Sequence, residues 1–155
     1  MKKVLIAMDY DPTAQTIAEA GYALARGIDA EVTLLHVVAE PKYYATVGVS
    51  PITGFNDQLN AVPLMLESTK DLMDEGEKYL SRTKAHLGDP SIQAIIKEGE
   101  AEDVILETAK AIHADIIVLG THSRRWFENI LMGSVAEKVL KNTNIPLYIV
   151  PLKKQ

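Results

Sequence analysis

The 155-residue chain contains no cysteine. That absence removes a disulfide framework, a thiolate nucleophile and any cysteine-ligated zinc or iron–sulfur centre, and it fits a reducing compartment. No run of about 18 apolar residues occurs, and the chain starts straight into a strand-like segment, so neither a membrane span nor a signal peptide is expected. Positive charge is not in excess. Sixteen Lys+Arg against 21 Asp+Glu give a net charge of −5, which lacks the basic face that duplex nucleic acid requires. No Gly-rich loop ends in Gly-Lys-Ser/Thr, so a P-loop NTPase is excluded. His36, His86, His113 and His122 show no metal-ligand spacing, and no nucleophile stands beside an oriented base, so no dedicated catalyst is expected. What these absences leave is a soluble, cytoplasmic chain with no affinity for membrane or nucleic acid.

Hydrophobic residues make up 47% of the chain, and at roughly 150 residues per domain a single domain over residues 1–155 is expected. A domain of that size buries about 70% of its unfolded surface and needs no metal or disulfide to fold. Lys3–Met8 and Glu31–Val38 are apolar, β-branched runs that predict buried strands. Between them, Asp11-Pro12 resembles an N-cap followed by proline at the first helical position. Ile17, Ala18, Gly21, Leu24, Ala25 and Ile28 then give a helical face that Gly27 can stop. Residues 39–62 have no period and hold Pro41, Gly48, Pro51 and Gly54. They predict a long connection, and loops beyond about 12–15 residues are usually functional or disordered. Pro63 is placed to open a helix toward His86 with its seam at Leu66, Met73, Leu80 and Leu87, beside Met65, Leu72 and Tyr79. Gly76 within it costs about 1 kcal/mol relative to alanine, so packing must hold that helix.

Residues 92–97 predict a third strand, and Ala101, Val104, Ile105, Thr108, Ala109 and Ile112 one face of the next helix. Residues 115–119 predict a fourth strand, and 146–150 a fifth. The helix before the fifth shows Val135, Ala136, Val139 and Leu140 as its core face. Strand and helix alternate throughout, which calls for an α/β fold with a mainly parallel five-stranded sheet and helices on both faces. Ligands of such sheets sit outside the carboxyl ends of the strands, where the strand order reverses. His36, inside an apolar strand, reads as a core or sheet-end histidine.

The richest loop at that edge is Gly120-Thr121-His122-Ser123-Arg124-Arg125-Trp126-Phe127, running on to Gly133-Ser134. A glycine directly after a buried strand lets a ligand or the chain approach the sheet edge closely. Gly133-Ser134 opens a helix whose free N–H groups and positive dipole end suit an anion. The Ser134 hydroxyl, His122, Arg124 and Arg125 add donors and positive charge, which is the chemistry of a phosphate site. Trp126 reads first as packing the loop against its own helix, with covering a ligand or anchoring a partner as the alternatives.

With these residues in place, the chain resembles the universal stress proteins, small α/β domains of which many bind ATP. Their nucleotide motif is Gly, two residues, Gly, nine residues, then Gly-Ser or Gly-Thr. Gly120, Gly133 and Ser134 match it with the nine-residue spacing intact, and Ser123 stands at the second glycine. The segments DIIVLGTHS, LMGSVAEKVLKNTNIPLYIV, KVLIAMDYDPTAQTIAEAGYALA and EVTLLHVV carry the likeness, which is weakest over residues 39–88. The resemblance implies a Rossmann-like strand order 3-2-1-4-5 and an adenine nucleotide, ATP with Mg2+ or Mn2+. It sets Asp9 near the adenosine end, where it could accept ribose hydroxyls, hold a cation indirectly or cap the following turn. Ala7 and Met8 would line base or ribose with backbone and apolar surface, and the main chain of Val38 would meet adenine. Leu119 and Gly120 would face the ribose and α-phosphate, with Ser123, Gly133, Ser134 and Val135 around the phosphates and His122 and Arg124 beside them. It also implies a homodimer through the last strand and an unidentified protein partner.

Ser123 is the departure with consequences. If the second glycine serves only a left-handed backbone, serine costs about 1 kcal/mol, or about fivefold in affinity. If a β-carbon would strike the phosphates, the penalty is steric and larger; the serine hydroxyl could instead replace a lost contact. The functions to separate are therefore a nucleotide-binding stress-response protein, a nucleotide-free dimeric interaction module, and a slow ATP hydrolase.

Overall fold

The computed structural model describes residues 1–8, 14–38, 54–121 and 133–152, with residues 54–69 by backbone alone. In chain order the elements are β1 (Lys3–Met8), α1 (Ala14–Gly27), β2 (Glu31–Val38), α2 (Gly54–Leu87), β3 (Gln93–Glu98), α3 (Ala101–Ala111), β4 (Ile116–Gly120), α4 (Ser134–Asn142) and β5 (Leu147–Val150). The five strands form one parallel sheet in the order β3-β2-β1-β4-β5, as the alternation and the resemblance lead one to expect.

Two apolar layers flank the sheet. On one face Val4, Ile6, Met8, Val32 and Leu34 pack with Ala14, Ile17, Ala18 and Ala25 of α1 and Leu80 of α2. On the other, Leu5, Leu35, Ile117 and Leu119 pack with Val104, Ile105 and Ala109 of α3 and Ala136 and Val139 of α4. β1 alternates cleanly between the layers, as a period of two requires, and so needs apolar residues throughout. β3 is an edge strand. Its exposed Gln93, Lys97 and Glu98 blunt that edge against further pairing.

Three expectations are corrected. α2 begins at Gly54 rather than Pro63, so the connection after β2 is shorter than residues 39–62 and Pro63 lies inside the helix. Residues 55–62 contain neither glycine nor proline and permit helix ahead of Pro63, which in the interior leaves one carbonyl without its helical N–H partner. α1 does end at Gly27, but the left-handed residue that turns the chain is Asp29, at φ 54°, a conformation aspartate tolerates better than most side chains. Ile28 is then 40% exposed rather than part of the core face. On α4 only Ala136 and Val139 are buried, while Val135 and Leu140 are 37% and 50% exposed. A helix of nine residues lying against α3 buries a narrow stripe, and three-to-four spacing overstates its width. The Asp11-Pro12 cap falls outside the described residues.

Beyond α2, Asp89 accepts hydrogen bonds from the N–H and hydroxyl of Ser91 at 2.9 and 2.6 Å and from the Tyr22 hydroxyl of α1 at 3.0 Å. These donors hold its carboxyl below the ordinary 3.8, those of Ser91 first.

Gly76 explains how α2 tolerates a glycine. A β-carbon there would drive into the Ile96 side chain and come within 3.0 Å of His36 Cδ2, so the bare backbone lets the helix lie close on β2 and β3. Gly76→Ala should therefore destabilise the fold by about 1–3 kcal/mol through overpacking, against alanine's helix-propensity advantage of about 1 kcal/mol. Urea unfolding of the two proteins measures the balance.

Candidate functional site

The carboxyl edge of the sheet is where the described site residues meet. β1 ends at Met8, β2 at Val38 and β4 at Gly120, and α4 starts at Ser134. Along this edge β1 and β2 stay in register to Met8↔His36, and β4 and β5 to Gly120↔Val150. Between β1 and β4 the described pairing stops at Ile6↔Val118, although both strands continue beyond it. The ladder thus parts at the carboxyl end, at the place where the strand order reverses.

Main-chain direction alternates along each parallel strand, because successive residues turn their N–H and C=O to opposite neighbours. Lys2 O accepts from Glu31 of β2 and Lys3 O from Asp115, which leads into β4. By that alternation the main-chain groups of Ala7 face β4 and those of Met8 face β2. Ile117 N–H donates to Pro146 O and Thr121 N–H to Val150 O, so Gly120 turns its groups the other way, toward β1. The Ala7 N–H is taken up by the Ile6↔Val118 pairing, so Ala7 turns its carbonyl, and Gly120 its main-chain groups, toward the parting from its two sides.

Three of the described site residues turn their side chains inward. Met8, Val38 and Leu119 are 5%, 1% and 4% exposed and belong to the core. The apolar surface expected of Met8 is turned inward, which leaves its backbone at the edge. The carbonyl of Val38 accepts the N–H of Gly99 on the β3 side at 2.9 Å, and Glu31 N–H already bonds toward β1. The same alternation directs the main chain of Val37, not Val38, toward β1. Gly120 has a packing reason of its own, since a β-carbon there would lie 2.5 Å from Ile17 Cδ1 and 2.6 Å from Leu152 Cδ1. The close approach that this glycine permits is first of all that of the chain to itself.

On the far side, Gly133 caps α4 in extended conformation (φ −69°, ψ 160°) with no side-chain hydrogen bond. The amides of Ser134, Val135 and Ala136 have no acceptor within the helix, because the first turn of any α-helix leaves its donors open. Ser134 and Val135 are exposed. Such an end attracts anions. Asp9, His122, Ser123, Arg124, Arg125, Trp126 and Phe127 lie outside the described residues. Among the described residues no group of three or more His, Asp or Glu could hold a metal ion, and no helix is long and apolar enough to cross a membrane.

Two residues at this edge had no role assigned from the sequence. His36, 1% exposed, sets Nδ1 3.1 Å from Met8 O, which agrees with its reading as a sheet-end histidine and adds a specific acceptor. Thr121 is also buried, and its Oγ1 accepts the N–H of Leu152 at 2.9 Å. It fastens the segment after β5 over Gly120, just where the loop toward α4 departs. A polar residue directly after a buried strand was the signal available for it.

The comparisons with known proteins agree with this architecture. The model of the universal stress protein family matches residues 1–151. The chain belongs to the universal stress protein family. Among curated members, universal stress protein MJ0531 of Methanocaldococcus jannaschii is 32% identical, over 99% of this chain and 84% of its own. Universal stress protein MJ0577 of the same organism is 29% identical, over 98% and 96%. The solved structure of MJ0577 superposes with a TM-score of 0.74 at 27% identity, covering 99% of this chain and 98% of its own. A universal stress protein solved in complex with cAMP shares the fold, with a TM-score of 0.59 at 19% identity, covering 97% and 96%.

The Thr121 clasp is testable without a ligand. Thr121→Val keeps the shape but leaves the buried Leu152 N–H without its acceptor, which should cost about 1–3 kcal/mol. Urea unfolding beside the wild type gives the value.

Proposed function

We propose that this family member binds an adenine nucleotide, ATP in the first instance, across the parting between β1 and β4, and that it serves stress signalling through nucleotide-dependent conformation or oligomerisation. The observation that carries the reading is the parting itself. Ala7 and Gly120 turn main-chain groups toward it, and the open first turn of α4 follows in the same motif. Ribose and base then meet backbone at Ala7 and on the β1-facing side of Val37, with Asp9 as the ribose acceptor. The phosphates meet Gly120, Gly133, Ser134 and Val135, with His122, Ser123 and Arg124 completing the loop. Support also comes from the relative solved with cAMP, since an adenine nucleotide is compatible with this fold. Magnesium or manganese enters on the triphosphate, because the described residues offer no carboxylate cluster of their own.

In this reading the protein is one cytoplasmic domain, dimeric through β5, and its turnover of ATP is at most slow. β5 is a sheet edge whose four residues, LYIV, carry no charge. The opposite edge is guarded by Lys97 and Glu98, so β5 is the edge suited to a second copy.

A second reading has its own observation. Ser123 replaces a motif glycine, and Gly120 is accounted for by packing against Ile17 and Leu152. Both suit a nucleotide-free dimeric module. Calorimetric titration of nucleotide-stripped protein with magnesium ATP separates the two. Nucleotide binding predicts micromolar or tighter affinity near one ligand per chain, and replacing Arg124 and Arg125 by alanine should weaken ATP more than adenosine. No binding heat at several temperatures, with no competition by analogues, selects the module.

A further inference from the structure

His36 is a buried polar side chain at this edge that the nucleotide reading does not use. Its ring is enclosed on three sides. Tyr79 of α2 meets it edge-on, with centroids 5.8 Å apart and planes at 78°. The Gly76 backbone passes so near that a β-carbon would come within 3.0 Å of Cδ2. On the third side Nδ1 reaches Met8 O at 3.1 Å. A carbonyl oxygen only accepts, so Nδ1 carries the proton and donates it. The tautomer and the ring orientation are thereby both set.

Met8 is the last described residue of β1, and the peptide unit that starts at its carbonyl leads to Asp9. That unit is planar. Holding its oxygen fixes the orientation of that peptide unit at the end of β1. A bond between backbone atoms alone would tie this carbonyl only to the neighbouring strand. The imidazole ties it as well to α2, through Gly76 and Tyr79.

We propose that His36 is a positioning residue for the adenosine end of the nucleotide, acting through the Met8 carbonyl at the end of β1. This rests on the nucleotide reading above and deepens it, because it names the side chain that sets one end of the site without touching the ligand. A histidine that only fills the core would affect all ligands through stability. A positioning histidine acts on the adenosine half and requires an N–H donor at the place of Nδ1.

The test uses the full chain and two substitutions, with ATP and adenosine titrated calorimetrically and unfolding midpoints measured alongside. His36→Phe keeps a ring against Tyr79 and removes the donor. It should weaken ATP and adenosine by the same factor, about tenfold. His36→Asn keeps a donor near the Nδ1 position and should recover most of that loss. The assignment is overturned if His36→Phe binds both ligands as the wild type does, if only ATP suffers, or if His36→Asn binds as weakly as His36→Phe. A measurement on unsubstituted protein stands apart from any folding defect. The His36 Nδ1 proton resonance should shift when adenosine is added and stay in place with inorganic triphosphate, and the reverse pattern overturns the proposal. Wild-type protein that binds neither ATP nor adenosine defeats the nucleotide reading itself, and the role of His36 falls with it. That outcome is visible before any substitution is made.

Discussion

The central position of β1 governs the carboxyl edge of this sheet. β1 lies between β2 and β4, and right-handed crossovers put α1 and α2 on one face and α3 and α4 on the other. α1, which follows β1, therefore lies on the opposite face from α4, which follows β4. Between β1 and β4 the ladder stops at Ile6↔Val118 while its neighbours run on. A parting of this kind follows from topology, and the described residues turn mainly backbone toward it. That suits a ligand whose recognition rests on hydrogen-bonding edges and charge more than on a shaped apolar cavity.

Close packing of helices on the sheet is the second condition, and two glycines mark where it is tightest. Gly76 lets α2 rest on Ile96 and His36, and Gly120 admits Ile17 and Leu152 over the end of β4. The second case bears on function. A glycine that a motif reading assigns to a ligand is here already required by the core, so its presence is weaker testimony for phosphate than the motif alone suggests. Gly133, at the N-cap of α4, is extended at φ −69° and ψ 160°, a conformation open to other residues as well. The Thr121–Leu152 hydrogen bond ties the end of β4 to the residues after β5.

Much of this was legible in the residues. Lys3–Met8 and Glu31–Val38 are apolar on both faces because both faces are covered, and their bounds match the strands observed. What periodicity could not supply was register. Whether Val37 or Val38 turns its main chain toward β1 depends on which neighbour each bonds, and only the paired strands reveal it. Val135 and Leu140 lie at core spacing on α4 yet are exposed, because the width of a buried stripe depends on what packs against it. Thr121 was passed over for a similar reason, since its partner Leu152 is distant in sequence and the bond exists only once β4 and β5 are adjacent. The start of α2 was misplaced because proline favours a helix's first turn without confining it there.

The central claim, that an adenine nucleotide lies across the parting of β1 and β4, is tested most directly by following backbone amide resonances as magnesium ATP is added. Binding there predicts shifts concentrated at Ala7, Met8, Val37, Gly120, Ser134 and Val135, with Lys3, Glu31 and Ile116 at the amino edge unmoved. Shifts confined to the amino edge or to β5, or no shifts at saturating nucleotide, would contradict it.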